Sequence, residues 1–190
     1  MRSIIYNEDS GLEFGKWKDD ISRFMYWDCM PDILENITIP QRVADYGGAN
    51  GNLKSFIPHA ISIDIDGSKN PDIHDDILTH SERYELVVIR YVLHYLTDKE
   101  VLQLFDKINA KEILVIQFVN EDLMSKYVNS IRETKHFRTQ TQLEGLLPDE
   151  SELIYSSEYD IDSQFYINRL GAGEYIPHSE TLNAYHVRKH

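Results

Sequence analysis

Two largely apolar stretches, each the length of one β-strand, enclose a segment with the start signals of a helix. Leu86–Ile89 and Ile113–Val119 are rich in Val, Ile and Leu, and both are far shorter than a membrane span. Between them, Thr97 and Glu100 form a capping box, and apolar side chains recur at helical spacing after it. A strand, a helix and a second buried strand in succession are typical of a parallel β-sheet with helices packed on it.

The same alternation of strand and helix patterns continues through the chain after residue 40. A short helix is predicted from Asn50 to the break at Pro58, and a longer helical pattern spans Glu121–Leu147. The predicted strands are Arg42–Tyr46, Ala60–Ile65, Asp72–His74, Glu85–Ile89, Glu112–Val119, Leu153–Ile161 and Leu182–Val187.

Length and composition are typical of a single globular domain. The chain has 190 residues, of which 42% are hydrophobic and 27% charged. We expect one domain, residues 1–190, in which residues 1–40 form an aromatic-rich helical cap and residues 41–190 form the core. The first residues lack the apolar stretch of a signal peptide and Cys29 is the only cysteine, so a cytoplasmic location is expected.

The formal net charge of −13 bears on the partners of the protein. An acidic surface repels phosphate backbones, so the composition disfavours nucleic acid as a substrate. No apolar run reaches the length of a membrane span, so no membrane partner is expected. A small molecule is the expected ligand, and a homodimer is left open.

The segment Asp45-Tyr46-Gly47-Gly48-Ala49-Asn50-Gly51 stands where the first predicted strand turns into a helix. Glycines there let the backbone approach a ligand closely, and N–H groups at the start of a helix can bind polar ligand groups. Asp45 is suited to accept a hydrogen bond from a cationic amino group. Asp64 ends the next strand, where dinucleotide-binding sites hold a ribose hydroxyl.

Two common glycine-loop sites do not fit this segment. The nicotinamide fingerprint places glycine where this chain has Gly47, Ala49 and Asn52, so two of its three glycines are missing. The phosphate-binding loop needs a Gly-Lys-Ser/Thr ending, which is absent from the sequence. The loop therefore predicts a different ligand.

Asp45-x-Gly47-x-Ala49-x-Gly51 is followed in order by Ser62–Asp66, Asp72–Leu78 and Tyr84–Leu96. In order and spacing, these four segments resemble the motifs of class I S-adenosylmethionine-dependent methyltransferases. The first is similar to the family's acidic-x-Gly-x-Gly-x-Gly motif, with the small residue alanine in the middle glycine position. The resemblance covers residues 42–190 and leaves the amino-terminal segment uncovered.

This resemblance implies an α/β fold: a seven-stranded, mainly parallel Rossmann-like sheet with helices on both faces and an antiparallel C-terminal hairpin. It also implies S-adenosyl-L-methionine as the cofactor, with Asp64 at the ribose hydroxyls. Asp76 would meet the adenine amine and Ile77 the ring, although Asp75 is an alternative for the acid. The implied cofactor residues are Asp45, Gly47, Gly48, Ala49, Gly51, Asp64, Ile65, Asp76, Ile77 and Arg90.

Two residues of the fourth motif bear on the reaction itself. His94 resembles the general base of plant-type O-methyltransferases, a role that suits a side chain titrating near neutral pH; a structural role and substrate binding are the alternatives. Arg90, at the end of a buried strand, needs a counter-ion, which the cofactor carboxylate or an acidic substrate would supply. Arg90 also stands where catechol-type members carry a metal-binding carboxylate, so no metal site is predicted.

The predicted function is methyl transfer from S-adenosylmethionine to an oxygen or nitrogen atom of a small molecule. Two alternatives stay open. A methyltransferase acting on protein or RNA would have a basic groove beside the cofactor cleft. A non-catalytic cofactor-binding module would have an occluded acceptor pocket.

Overall fold

The computed structural model describes residues 2–5, 29–119, 136, 138–162 and 178–189. Its strands are β1 (Arg2–Ile5), β2 (Val43–Tyr46), β3 (Ile61–Asp64), β4 (Ile73–His74), β5 (Tyr84–Arg90), β6 (Ala110–Val119), β7 (Ser151–Asp162) and β8 (His178–Arg188). They form one sheet in the order β1–β7–β8–β6–β5–β2–β3–β4.

The strands from β2 to β6 pair in parallel, and β8 lies antiparallel between β6 and β7. These seven strands confirm the predicted sheet and its C-terminal hairpin. The eighth strand, β1, runs parallel to β7 at the edge of the sheet. Residues 2–5 are therefore a strand and not part of a helical cap, because the edge of β7 offers backbone groups for pairing. Residues 6–28 of the expected cap lie outside the described residues.

Three α-helices lie within the described ranges: α1 (Met30–Leu34), α2 (Asp98–Lys107) and α3 (Gln140–Glu144). The start of α2 confirms the predicted capping box, since the Glu100 backbone N–H donates to Thr97 Oγ1 and the Thr97 N–H donates to Glu100 Oε2. Residues 120–135 of the longer helical pattern are outside the described part of the chain. None of the helices described is long and apolar enough to cross a membrane.

The short helix predicted between Asn50 and Pro58 is present as a 3₁₀ helix at Asn52–Ser55. Gly51, its N-cap, has a left-handed backbone with φ 75°, and Pro58 cannot donate a backbone hydrogen bond. Leu53 and Ile57 are buried, so the segment covers the sheet.

Alternate residues of the central strands point to opposite faces of the sheet and build two hydrophobic clusters. We call these faces the α2 face, which α2 and α3 cover, and the α1 face, which α1 and the 3₁₀ helix cover. Helices on both faces confirm the predicted layering. The α2 face buries Val87, Ile89, Ile113, Val115, Leu104 and Leu143, and the α1 face buries Leu86, Val88, Leu114, Ile116, Met30 and Ile33.

Candidate functional site

The order of the strands reverses between β2 and β5. From β2 the chain moves outward through β3 and β4, then returns to the other side of β2 and moves outward through β5 and β6. In open α/β sheets, ligands bind at the carboxyl ends of the strands that flank such a reversal. The residues predicted from the sequence lie at the carboxyl ends of β2, β3 and β5 or in the loops after β2 to β5, which is the edge where a ligand is expected.

The loop after β2 depends on glycine for two reasons. Gly47 and Gly51 have φ values of 70° and 75°, which glycine adopts without strain. A Cβ on Gly47 would also collide with the side chain of Val92, which follows β5. Ala49, in the middle glycine position, is left-handed as well, with φ 45°. The loop therefore needs a left-handed backbone conformation at the position where the sequence has alanine.

Asp64 fastens this loop to the end of β3. Its Oδ2 accepts a hydrogen bond from the Ala49 backbone N–H at 2.9 Å, and its Oδ1 accepts one from the Asp66 N–H at 2.8 Å. The next residue, Ile65, has 67% of its surface exposed, which is unusual for a large apolar side chain. The end of β3 thus presents a carboxylate beside an exposed apolar side chain.

Asp45 and Arg90 form a buried ion pair across the reversal point. Asp45 Oδ2 lies 3.7 Å from Arg90 Nη2, and both side chains are almost fully buried. Burial raises the pKa of Asp45 to about 6, although Arg90 acts in the opposite direction. A Cβ on Gly48 would lie 2.8 Å from Asp45 Oδ2, so glycine is needed there as well. The counter-ion that Arg90 was expected to need is therefore Asp45.

The two acids after β4 have different surroundings. Asp75 Oδ2 binds His80 Nδ1 at 2.8 Å and its Oδ1 accepts from the Asp76 N–H, and the His80 hydrogen bond is the main reason that the pKa of Asp75 is lowered. Asp76 uses Oδ1 to accept from the Leu78 N–H. Ile77 is buried in the cluster on the α2 face. Asp75 is thus engaged through both oxygens, and Ile77 occupies a core position.

The segment after β5 is strained and lies against β6. Tyr91 has a left-handed backbone with φ 56°, which is rare for a bulky residue, and its ring stacks on Phe118 at 5.5 Å. Such strain persists only where the surroundings enforce it and is common at functional sites. His94 follows in a short 3₁₀ helix, with its Nδ1 3.4 Å from Gln117 Nε2.

Arg138, which the sequence interpretation did not single out, holds this segment in place. Its guanidinium donates to the carbonyl oxygens of Leu93 and Leu96, each at 2.7 Å, and to Asp98 Oδ1 at 2.7 and 2.9 Å. The side chain is 7% exposed. Nothing in the local sequence marks this arginine, because its partners lie about forty residues earlier in the chain.

Among the residues with described positions, no cluster of His, Cys, Asp or Glu is arranged to hold a metal ion.

No protein-family model matches the sequence, and a search of curated proteins found no significant match. Solved structures do match the fold. A SAM-dependent methyltransferase from Archaeoglobus fulgidus aligns with a TM-score of 0.56 and 13% identity over 86% of this chain and 93% of that chain. The magnesium protoporphyrin IX methyltransferase of Synechocystis PCC 6803, solved with bound SAH, aligns with a TM-score of 0.56 and 14% identity over 93% of this chain and 89% of that one. The chain has the class I methyltransferase fold.

A third structure, the pyocyanin biosynthetic protein PhzM, has a TM-score of 0.54 and 13% identity over 88% of this chain. This chain spans only 56% of the length of PhzM.

Direct contacts join four of the predicted site residues in pairs and link a fifth candidate, Asp75, to them. Asp45 pairs with Arg90, Asp64 holds Ala49, and the Asp75 N–H donates to the Asp64 carbonyl oxygen at 3.1 Å. Ile77 stands apart, because it faces the core.

Proposed function

We propose that this protein binds S-adenosylmethionine at the reversal point of its sheet and transfers the methyl group to an oxygen or nitrogen atom of a small molecule. The observation that carries the proposal is the joining of the glycine loop, Asp64 and the Asp45–Arg90 pair at the ends of β2, β3 and β5. Asp45 would meet the cationic amino group of the cofactor, and Asp64 would meet the hydroxyls of its ribose.

The chemistry of the donor set fits the cofactor. Asp45 Oδ2 accepts no hydrogen bond from any described residue although it is buried, so an amino cation beside it would satisfy an acceptor that is otherwise costly. Each Asp64 oxygen accepts one backbone hydrogen bond and has a further lone pair for a ribose hydroxyl. The left-handed glycines allow the backbone to approach the ligand closely.

The surroundings of the two acids after β4 support Asp76 as the partner of the adenine amine. Asp75 uses both carboxylate oxygens within its own turn, whereas the Oδ2 atom of Asp76 takes no hydrogen bond from the described residues. For the adenine ring, the exposed Ile65 is the better apolar contact, since Ile77 is buried.

We therefore expect Asp76→Ala to weaken binding of S-adenosylhomocysteine by on the order of tenfold, through the lost hydrogen bond to the amine. Asp75→Asn is the matched control, because it removes a carboxylate that serves the turn. Titration calorimetry of both variants measures the effect. A larger loss for Asp75→Asn, with an unchanged thermal melt, would assign the adenine role to Asp75 instead.

Bound cofactor would supply a methyl group activated by the positive charge of its sulfur. The contribution of the chain is to bind and orient the reactants and to exclude water. Val92 closes the space beside the glycine loop, since it is nearly buried and lies against Gly47. The enforced backbone of Tyr91 fixes where the following segment, which contains His94, begins.

His94 lies beside Gln117 in the segment after β5. Its Nδ1 is 3.4 Å from Gln117 Nε2, which is long for a hydrogen bond. An imidazole can donate a hydrogen bond or take a proton, so His94 would serve to orient the acceptor or to act as its general base.

The first experiment is calorimetric titration of the full chain with S-adenosylhomocysteine, the product of methyl transfer, and in parallel with NAD. The proposal predicts saturable binding of S-adenosylhomocysteine at a stoichiometry near one, and no comparable binding of NAD. Binding of NAD without binding of S-adenosylhomocysteine would refute it. Labelled S-adenosylmethionine with a metabolite extract then reports which small molecule is methylated.

A further inference from the structure

Two buried amide side chains lie opposite each other on the α2 face of the sheet. Gln117 of β6 and Asn183 of β8 are register partners on adjacent antiparallel strands, and they are 6% and 0% exposed. Gln117 Oε1 and Asn183 Oδ1 are both fully buried and accept no hydrogen bond from the described residues. Native proteins leave few buried polar atoms unpaired, so two such oxygens side by side call for a partner.

The orientation of the Asn183 amide is set by its neighbours. Burial raises the pKa of Tyr185, so its hydroxyl keeps its proton. That hydroxyl donates to Glu144 Oε1 at 3.1 Å, and its oxygen accepts from Asn183 Nδ2 at 3.0 Å. Because the hydroxyl hydrogen is already directed to Glu144, Asn183 must turn its nitrogen toward Tyr185. Its oxygen then stays without a partner among the described residues.

Gln117 links this pair to the strained segment after β5. Its Nε2 lies 3.4 Å from His94 Nδ1 and 3.5 Å from the Phe118 carbonyl oxygen, so both contacts are long. The amide nitrogen of Gln117 is therefore held only weakly in the free protein. Its oxygen accepts no hydrogen bond from the described residues. The pair belongs to the end of the sheet beside His94, which is next to the proposed cofactor site.

We propose that Gln117 Oε1 and Asn183 Oδ1 accept hydrogen bonds from the methyl acceptor, which is a neutral or cationic small molecule carrying an N–H or O–H donor. This inference rests on the proposed function. Carbonyl oxygens only accept hydrogen bonds, so the two side by side attract N–H and O–H donors and disfavour a carboxylate or phosphate group. The acceptor is accordingly an amine or a hydroxyl compound whose binding group is uncharged or positive.

The test uses phenol and anisole as probes, because they have similar shapes and only phenol has an O–H donor. The full chain, saturated with S-adenosylhomocysteine, is titrated with each probe while the side-chain amide NMR signals of Gln117 and Asn183 are followed. Phenol should shift both signals and bind tighter than anisole by on the order of tenfold. Gln117→Met, which keeps the length of the side chain and removes one of the two acceptor oxygens, should reduce that preference.

A thermal melt separates this result from unfolding. Gln117→Met removes an unpaired buried oxygen and only two long contacts, so its melting temperature should be unchanged or raised. Equal binding of the two probes, or phenol shifts that miss both amides, would overturn the inference while leaving cofactor binding intact. If the wild-type chain does not bind S-adenosylhomocysteine at all, the proposed function and this inference fall together.

Discussion

At the scale of single residues, the site contains groups that cost stability in the free protein. Asp45 is buried with a raised pKa, Ala49 and Tyr91 adopt left-handed backbones, and Gln117 and Asn183 bury unpaired oxygens. Each feature is unfavourable without a ligand, and all of them belong to the reversal point or to the sheet end beside it. Unfavourable features concentrated at one place are expected where the residues serve ligand binding and not the stability of the fold.

Asp45 should make stability depend on pH in a definite direction. Its pKa is about 6 in the folded protein and 3.8 for an aspartate side chain in water, so between these values the folded state binds more protons than the unfolded state. The free energy of unfolding contributed by Asp45 should therefore rise as the pH falls from about 6 toward 3.8.

Asp45→Asn is the matched comparison, because asparagine resembles the protonated acid at every pH. Urea unfolding of both proteins across this window should show the wild type gaining stability relative to Asp45→Asn as the pH falls. A constant difference between the two would contradict the raised pKa.

Ala49 offers a test of strain in the glycine loop. Relief of the left-handed alanine should exceed the backbone entropy that glycine adds to the unfolded chain, so Ala49→Gly should raise the free energy of unfolding by about 0.5–1 kcal/mol. Ala110→Gly, at a half-buried position without a positive φ, should lower it. Equal losses for the two variants in urea unfolding would show that Ala49 is unstrained.

At the scale of elements, the strands were predictable and their connections less so. The runs Leu86–Ile89 and Ile113–Val119 are buried on both faces, which leaves a continuous apolar signal in the sequence. The capping box of α2 was also predictable, because Thr97 and Glu100 are only three residues apart in the sequence. The helix after the glycine loop was predicted at the right place, but its 3₁₀ form and its shorter extent were not.

Arg138 shows how one side chain can hold an element without any local signal. It closes the segment after β5 by donating to two backbone carbonyl oxygens and to Asp98. Arg138→Met keeps much of the volume and leaves these acceptors unpaired, so the free energy of unfolding should fall by about 2–4 kcal/mol.

Arg138→Lys should recover only part of this loss, because lysine lacks the planar fork that reaches several acceptors. Arg83, an exposed arginine, is the control, and Arg83→Met should change the unfolding free energy by less than about 0.5 kcal/mol. A similar small effect for Arg138→Met in urea unfolding would show that the segment holds its position without the guanidinium.

At the scale of the whole molecule, the residues of the proposed cofactor site could be singled out from the sequence and those of the proposed acceptor site could not. The glycine loop and Asp64 are local patterns at strand ends, and their meeting follows from the order of parallel strands. The amide pair requires β6 and β8 to be adjacent in a known register, and residues 117 and 183 are far apart in the chain. The edge strand β1 was missed because four residues carry too little periodicity to predict a strand.

The central claim, a cofactor held at the reversal point, is tested most directly by the affinity of S-adenosylhomocysteine for two neighbouring variants. Asp64 fastens the glycine loop, whereas Asp66 is exposed and caps a short turn through Ser68. Calorimetry should show that Asp64→Ala weakens binding by on the order of 1–3 kcal/mol and that Asp66→Ala leaves it near the wild-type value. Asp64→Asn, which keeps an oxygen for the Ala49 N–H, controls for collapse of the loop and should also weaken binding. Unchanged affinity in Asp64→Ala, with a cooperative melt, would contradict the account.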